Sequence, residues 1–254
     1  MGSDDRRRPQ LVVVGNGMAG MRALEECLAR APDRFDVTVI GAEPHPNYNR
    51  ILLSSVLAGD KTLDEIVINA PHWYADRGIV VMLGRRAVAI DRAARLVALD
   101  DGSTVAYDKL LLATGSKPVA PPIPGLHLPN VRAFRDIADV EAMIEAAKTA
   151  RRAVVIGGGL LGLEAAWGLK QRGMAVALVH LMPTLMERQL DATAAASLPI
   201  SWCWRSASGP ISSLRAPPSS KSIAASWSAT TWRPPIRTSM RSANASSTTA
   251  RLSG

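Results

Sequence analysis

The apolar positions of the first forty residues change period twice. Leu11–Val14 is a short, uninterrupted apolar run, the pattern of a strand covered on both faces. From Met18 to Ala31 the spacing becomes helical, with Met21, Leu24 and Leu28 on one stripe. Val37–Ile40 is a second short apolar run. Strand, glycine turn, helix and strand make a βαβ half-unit. From Ile79 to Ala113 the pattern breaks into "VVML", "RAVAI", "RLVAL" and "STVAYDKLLLA", divided by turn signals such as Asp101-Gly102. This predicts an antiparallel meander that feeds a buried strand at Leu110–Ala113. The proline-rich "GSKPVAPPIPG" reads as a crossover between domains. A helix is predicted from Asp136 to Ala150. Ala153–Ile156 then opens a second strand–glycine–helix–strand unit that ends near Val179. The stretch Leu190–Leu198 reads as an alanine-rich helix, and Pro199 falls where that helix should continue.

These periods predict an α/β protein with two Rossmann-like dinucleotide-binding modules. The first carries a β-meander and occupies 9–120. The second, incomplete, occupies 121–198. Residues 199–254 form a tail of different composition.

Charge sharpens that division. The chain of 254 residues has a formal net charge of +8, which suggests a nucleic-acid or membrane partner. Position removes the suggestion from most of the chain. Residues 1–198 hold 23 Lys and Arg against 22 Asp and Glu, a balance typical of soluble enzymes. The tail holds seven basic residues and no acid, 15 of the 21 serines, four of the six tryptophans and none of the 19 valines. It shows no sustained apolar period and reads as disordered in composition. Three readings fit it: a basic arm whose tryptophans stack on nucleic-acid bases, a flexible linker, or a correct gene translated out of frame. Only the third accounts for a Rossmann unit that stops in mid-helix, and it is the one expected here.

Other classes are not favoured. Arg6–Arg8 imitate a twin-arginine start, but the apolar run behind them ends in a glycine loop and makes no leader. No stretch approaches the roughly 18 apolar residues of a membrane span. Cys27 and Cys203 make no disulfide framework. A cytoplasmic location is therefore expected. His45, His72, His127 and His180 lack metal-ligand spacing and are read as surface or loop residues, with no metal site.

The chemistry lies in the two glycine loops. Gly15, Gly17 and Gly20 form a GxGxxG between a strand and a helix, followed 23 residues after Gly20 by Glu43. Gly15 permits the tight turn, Gly17 lets backbone approach a pyrophosphate, and Gly20 allows close packing of helix on strand. The pyrophosphate would sit on the helix N-terminus, and the acid could hold a ribose 2′-OH. The alternative is a plain β–α turn with a solvated glutamate. Gly157, Gly159 and Gly162 repeat the pattern. Two such loops suggest two dinucleotides, most simply FAD and NAD(P)H, between which hydride can pass. The acid expected after the second strand of the later module is missing. His180 stands there, either as a ribose contact or as an ordinary strand-end histidine, and the choice of NADH or NADPH stays open.

Read together, the Gly15 loop, Glu43, "YNRILLSS" (48–55), "LLLATGSKP" (110–118), the Gly157 loop with Glu164, and "LMPTLMERQLD" (181–191) carry a resemblance. The chain resembles the two-dinucleotide flavoprotein reductases of the glutathione reductase superfamily, most closely the amino-terminal part of the NAD(P)H-dependent assimilatory nitrite reductase large subunits. The resemblance implies that the Thr114-Gly115 turn passes the FAD and that Arg50 lies near its phosphates. It implies that Glu164 joins Gly157, Gly159 and Gly162 in holding the nicotinamide nucleotide. Ser54-Ser55 resembles the nitrite reductases, whereas ferredoxin reductases tend to have lysine at the position of Ser55. Disulfide reductases of the superfamily need a cysteine pair beside the flavin, and this part of the sequence has only Cys27, inside a helical stripe. In the nitrite reductases electrons pass onward to iron–sulfur and siroheme centres, whose cysteine clusters this sequence does not contain. The expectation is an electron-input fragment with no acid–base catalyst, with a reductase for a ferredoxin- or rubredoxin-like acceptor as the alternative. A basic-tailed nucleic-acid-binding protein is the alternative from another class.

Overall fold

The computed structural model describes residues 7–118, 122–191, 193–194 and a strand at Ser222–Ser226. Its first half runs β1 (Gln10–Val14), α1 (Met18–Arg30), β2 (Asp36–Gly41), β3 (Asn47–Tyr48), α2 (Leu53–Ala58), β4 (Val67–Asn69), α3 (Pro71–Ala75), β5 (Val80–Leu83), β6 (Ala87–Asp91), β7 (Leu96–Leu99), β8 (Thr104–Ala106) and β9 (Lys109–Leu112). The second half follows with β10 (Val131–Arg132), α4 (Ile137–Ala147), β11 (Arg152–Ile156), α5 (Leu160–Gln171), β12 (Ala175–Val179) and β13 (Ser222–Ser226). No helix among the described residues is long and apolar enough to cross a membrane.

The first sheet has the order β5-β2-β1-β9, with every pairing parallel. Its central strand explains the unbroken apolar run. Leu11 and Val13 face α1, in a cluster with Met21, Leu24, Val37, Val39 and Tyr74. Val12 and Val14 face the other way, onto Ile40, Val97 and Leu99. The antiparallel sheet β6-β7-β8 supplies that second cover.

Two expectations about this region change. "VVML" is not the first strand of the meander. It is β5, which pairs in parallel with β2 from Thr38↔Val80 to Gly41↔Leu83. A short apolar run looks the same in either kind of ladder, and here its partner lies forty residues back. The strand expected to be buried at Leu110–Ala113 is an edge strand instead. Leu110 and Leu111 are half-buried and Leu112 is 41% exposed, because among the described residues β9 has a neighbour on one side only.

The second sheet has the order β10-β13-β11-β12, again parallel throughout. Strand β13 comes from the serine-rich tail and departs from the expectation of an unstructured segment. It pairs with β11 over Arg152↔Ser222 to Ile156↔Ser226 and occupies the place beside β11 that a parallel sheet needs filled. The continuation of the helix expected from Leu190 lies outside the described residues beyond 194. At its start, the Asp191 carboxylate accepts a bond from the Ala194 N–H at 2.8 Å, as a helix N-cap does.

The proline-rich stretch separates the two sheets in sequence but not in packing. One apolar cluster joins Tyr48, Leu53, Val56, Leu57 and Ile66 to Phe134, Val140, Met143, Val155, Ala165 and Leu169. Helix α2 belongs to the first half by sequence and buries its apolar residues against α4 and α5 of the second. Arg172, past the end of α5, reaches across to the last carbonyls of α2. It donates to Leu57 O at 2.8 Å and Val56 O at 2.9 Å.

Candidate functional site

The two glycine loops have nearly the same geometry. Strand β1 ends at Gly15, whose φ of +115° only glycine adopts readily; a Cβ there would collide with the Ala113 carbonyl. Its N–H donates to Ile40 O at 2.8 Å. Gly17 stands at the N-cap of α1 in extended conformation, and no side chain caps the helix. A Cβ on Gly17 would meet nothing within 4 Å, so the space in front of the helix N-terminus is open. Gly20 is the opposite case, because its Cβ would lie 2.8 Å from both Ala113 Cβ and Gly15 O. Three glycines thus do three different things: turn, open approach and close packing.

The second loop repeats each of them. Gly157 has φ +123° and donates to Val179 O at 2.8 Å. Gly159 is the uncapped N-cap of α5, with nothing within 4 Å of its Cβ position. A Cβ on Gly162 would run into the Gly157 carbonyl oxygen. Both helices therefore present free N–H groups and the positive end of their dipole to open space, an arrangement that suits a pyrophosphate.

Around the first loop, Glu43 and Arg50 meet. Arg50 Nη2 donates to Glu43 Oε1 at 2.5 Å, and Tyr48 Oη donates to Glu43 Oε2 at 2.7 Å. The Arg50 guanidinium lies 5.0 Å from the centre of the Tyr48 ring. Burial pushes the Tyr48 phenol above its ordinary value, and the hydrogen bond to Glu43 pushes the same way. The phenol stays protonated and works as a donor. The other guanidinium nitrogen, Arg50 Nη1, donates to Arg135 O at 2.7 Å. Arg135 in turn donates from Nη2 to Ser116 Oγ at 3.0 Å and stands 3.8 Å from where a Gly115 Cβ would be. Burial lowers the Arg135 guanidinium below its usual value, and the nearby Arg50 charge adds to this. Glu43, Arg50 and Gly115 are thereby joined in one string of contacts. Thr114 is exposed and adjoins Gly15, its N 3.2 Å from that glycine's Cβ position. Tyr48, Ser116 and Arg135 were not singled out as site residues from sequence. Tyr48 offered a signal, being an aromatic two residues before Arg50; Arg135 offered none.

Glu164 lies on α5 facing Ser54 of α2, where Oε2 is buried with no hydrogen-bond partner. Burial raises its carboxyl above the ordinary range, and the Ser54 hydroxyl only partly opposes this. His180 stands just past the end of β12 in a loop, as the strand-end reading expects, with its side chain 13% exposed. Nδ1 accepts the Gly158 N–H at 3.0 Å, and Nε2 lies 3.0 Å from Glu187 Oε2. Gly158, the middle glycine of "GGG", packs beneath the ring, with its Cβ position 2.7 Å from His180 Cγ. Cys27 is half-buried against the α1 cluster.

Comparison with known proteins agrees with this geometry. Residues 9–198 match the family described as pyridine nucleotide-disulphide oxidoreductase. The nitrite reductase [NAD(P)H] of Bacillus subtilis (strain 168) is 53% identical over 187 residues, which cover 74% of this chain and 23% of that protein. The chain thus spans about a quarter of the length of that curated relative. Among solved structures, the water-forming NADH oxidase of Lactobacillus brevis bound to NADH superposes with a TM-score of 0.68 and 30% identity, over 74% of this chain and 43% of that one. The NADH:rubredoxin oxidoreductase of Clostridium acetobutylicum gives 0.66 and 28%, over 75% and 49%.

Proposed function

The chain belongs to the pyridine nucleotide-disulphide oxidoreductase family, and on that premise we propose that it is an FAD-dependent NAD(P)H oxidoreductase, the electron-input part of a nitrite reductase large subunit. The observation that carries the proposal is the doubled loop. A left-handed glycine ends each central strand, and an uncapped helix with an open glycine N-cap follows it.

In this reading the first loop holds FAD. Gly15 sets the turn and Gly20 brings α1 close to the sheet. Gly17 lets backbone N–H groups reach the pyrophosphate. Glu43 accepts from the adenosine ribose. Both its oxygens already take one bond, from Arg50 and Tyr48, and a carboxylate has about four acceptor positions, so a hydroxyl can still be received. Arg50 and Arg135 put two positive charges on one side of the site, which suits an anionic cofactor. Thr114 and Gly115 border it. The second loop, Gly157, Gly159 and Gly162, holds the nicotinamide nucleotide. Glu164 joins them, its carboxyl held beside Ser54 and raised above the ordinary range by burial. FAD bound there would supply the two-electron chemistry that takes hydride from a reduced nicotinamide. The chain's own groups bind, orient and neutralise charge.

The test is a titration of the chain with FAD, followed by anaerobic addition of NADH or NADPH. Flavin absorbance that co-elutes with protein and bleaches with the nicotinamide is the expected result. No retained flavin, or flavin that neither nucleotide bleaches, would overturn the reading. A second reading, a reductase for a small iron protein, is favoured by the likeness to the rubredoxin oxidoreductase. It predicts electron transfer from the reduced chain to rubredoxin.

A further inference from the structure

We propose that Glu187 is the residue through which the second glycine loop takes the adenosine ribose of the nicotinamide nucleotide, and that its carboxylate makes the site prefer NADH to NADPH. The inference rests on the reading of that loop as the nucleotide site.

A Rossmann unit ordinarily ends its second strand on an acid that bonds the ribose diol. Here β12 ends at Val179 and His180 follows. Both ring nitrogens are committed within the chain. Nδ1 accepts the Gly158 N–H, so it carries no proton, and Nε2 is then the N–H that Glu187 receives. The ring has no acceptor left for a diol. What it does is fix a carboxylate beside the glycine loop.

The backbone fixes the same carboxylate from a second direction. Met186 N–H donates to Gly158 O at 2.9 Å. Gly158 is therefore clasped at both its polar groups, N–H by His180 and C=O by residue 186. The clasp is tight, because a Cβ on Gly158 would stand 2.5 Å from Leu185 Cδ2. Met186 adopts φ +54°, a left-handed conformation that strains a residue with a Cβ. That turn returns the chain to the loop and delivers Glu187 immediately after it. The Glu187 side chain is 30% exposed, and hydrogen bonding to its own backbone, then to His180, keeps its carboxyl below the ordinary range. One of its oxygens holds the imidazole, leaving acceptor capacity for the two ribose hydroxyls. A 2′-phosphate in their place would set a dianion against a carboxylate, so the residue that accepts NADH repels NADPH. His180 is the positioning residue.

The experiment is equilibrium titration of the full 254-residue chain with NADH and NADPH, followed by nucleotide fluorescence, with melting temperature as a check on folding. The wild-type chain binds NADH at least tenfold more tightly than NADPH. Glu187→Gln loses about tenfold in NADH affinity and narrows the ratio. Glu187→Lys tips the ratio towards NADPH. His180→Phe narrows it as Glu187→Gln does, which a purely structural role would not. Gly159→Val removes binding of both nucleotides. If both Glu187 variants keep the wild-type ratio while Gly159→Val abolishes binding, the Glu187 assignment is wrong and the loop reading stands. If Gly159→Val changes nothing, or the wild type binds neither nucleotide, the loop reading is wrong and the assignment falls with it.

Discussion

Gly168 of α5 lies directly over Leu57 of α2, so close that a Cβ on the glycine would stand 2.7 Å from Leu57 Cγ. Leu57 is fully buried, and the two helices meet across the divide between the sheets. Gly168→Ala should gain up to about 1 kcal/mol of helix propensity and lose about 1–3 kcal/mol to overpacking. The loss should prevail, because the clash falls on the branch point of Leu57 rather than on a flexible end. Leu57→Ala should cost about 2–5 kcal/mol alone. In the double variant the two costs should add to less than their sum, as read by chemical denaturation. Simple additivity would mean that the helices do not touch there.

The two kinds of glycine should separate cleanly by experiment. Gly17→Val should leave the melting temperature of the flavin-free chain nearly unchanged, since nothing lies within 4 Å of the added carbon, and should abolish FAD retention. Gly20→Ala should destabilise the fold before any cofactor is added, because its Cβ meets Ala113 and the Gly15 carbonyl at 2.8 Å. Gly17→Val retaining full flavin would refute the assignment of the open position.

Much of this division was legible in the sequence. The strand and helix periods placed β1, α1 and β2 to within a residue or two, and GxGxxG marked the turn at Gly15 and the close packing at Gly20. The contact face was not legible. "AAWGLKQ" contains a glycine inside a helix, which signals a packing reason without naming the partner. "RILLSSVLA" is too short and too evenly apolar to reveal which half of the molecule α2 joins. "VVML" carries no information about the direction of its neighbour. The two partners of His180, Gly158 and Glu187, were not legible, because they are set by a fold-back that no local period encodes.

The Glu164 carboxyl, with one buried oxygen left without a hydrogen bond, should make stability depend on pH. Burial raises its folded-state pKa above that of the unfolded chain. Its carboxyl therefore favours the folded state most at low pH, below the unfolded value near the ordinary 4.5, and that advantage is lost as pH rises through the folded value. Glu164→Gln removes this loss. The flavin-free variant should melt above wild type at neutral pH. The two curves should converge towards pH 4. A constant difference across pH would show that the carboxyl is not the source.

Arg50 spans both halves, from Glu43 to the Arg135 carbonyl. Arg50→Lys keeps the charge and loses the planar fork, so it cannot serve both partners. It should cost about 1–3 kcal/mol in denaturant titration. FAD affinity should fall with it, although Glu43 is unaltered. Full retention of both would mean that the string from Glu43 to Ser116 has no bearing on the site.

The grip of Arg172 on α2 and the shared cluster around Leu57 also concern what happens when the peptide chain is broken. The two sheets are fastened by contacts between residues 115 and 116 positions apart in sequence, and by the shared cluster, not by the connecting peptide. A nick after the exposed Lys117 would therefore yield two fragments that remain together as a noncovalent heterodimer. Each made alone would carry half of a torn interface, and co-expression of the pair would restore the whole. The polypeptide is continuous between the nucleotide folds, but the continuity of the protein lies in α2.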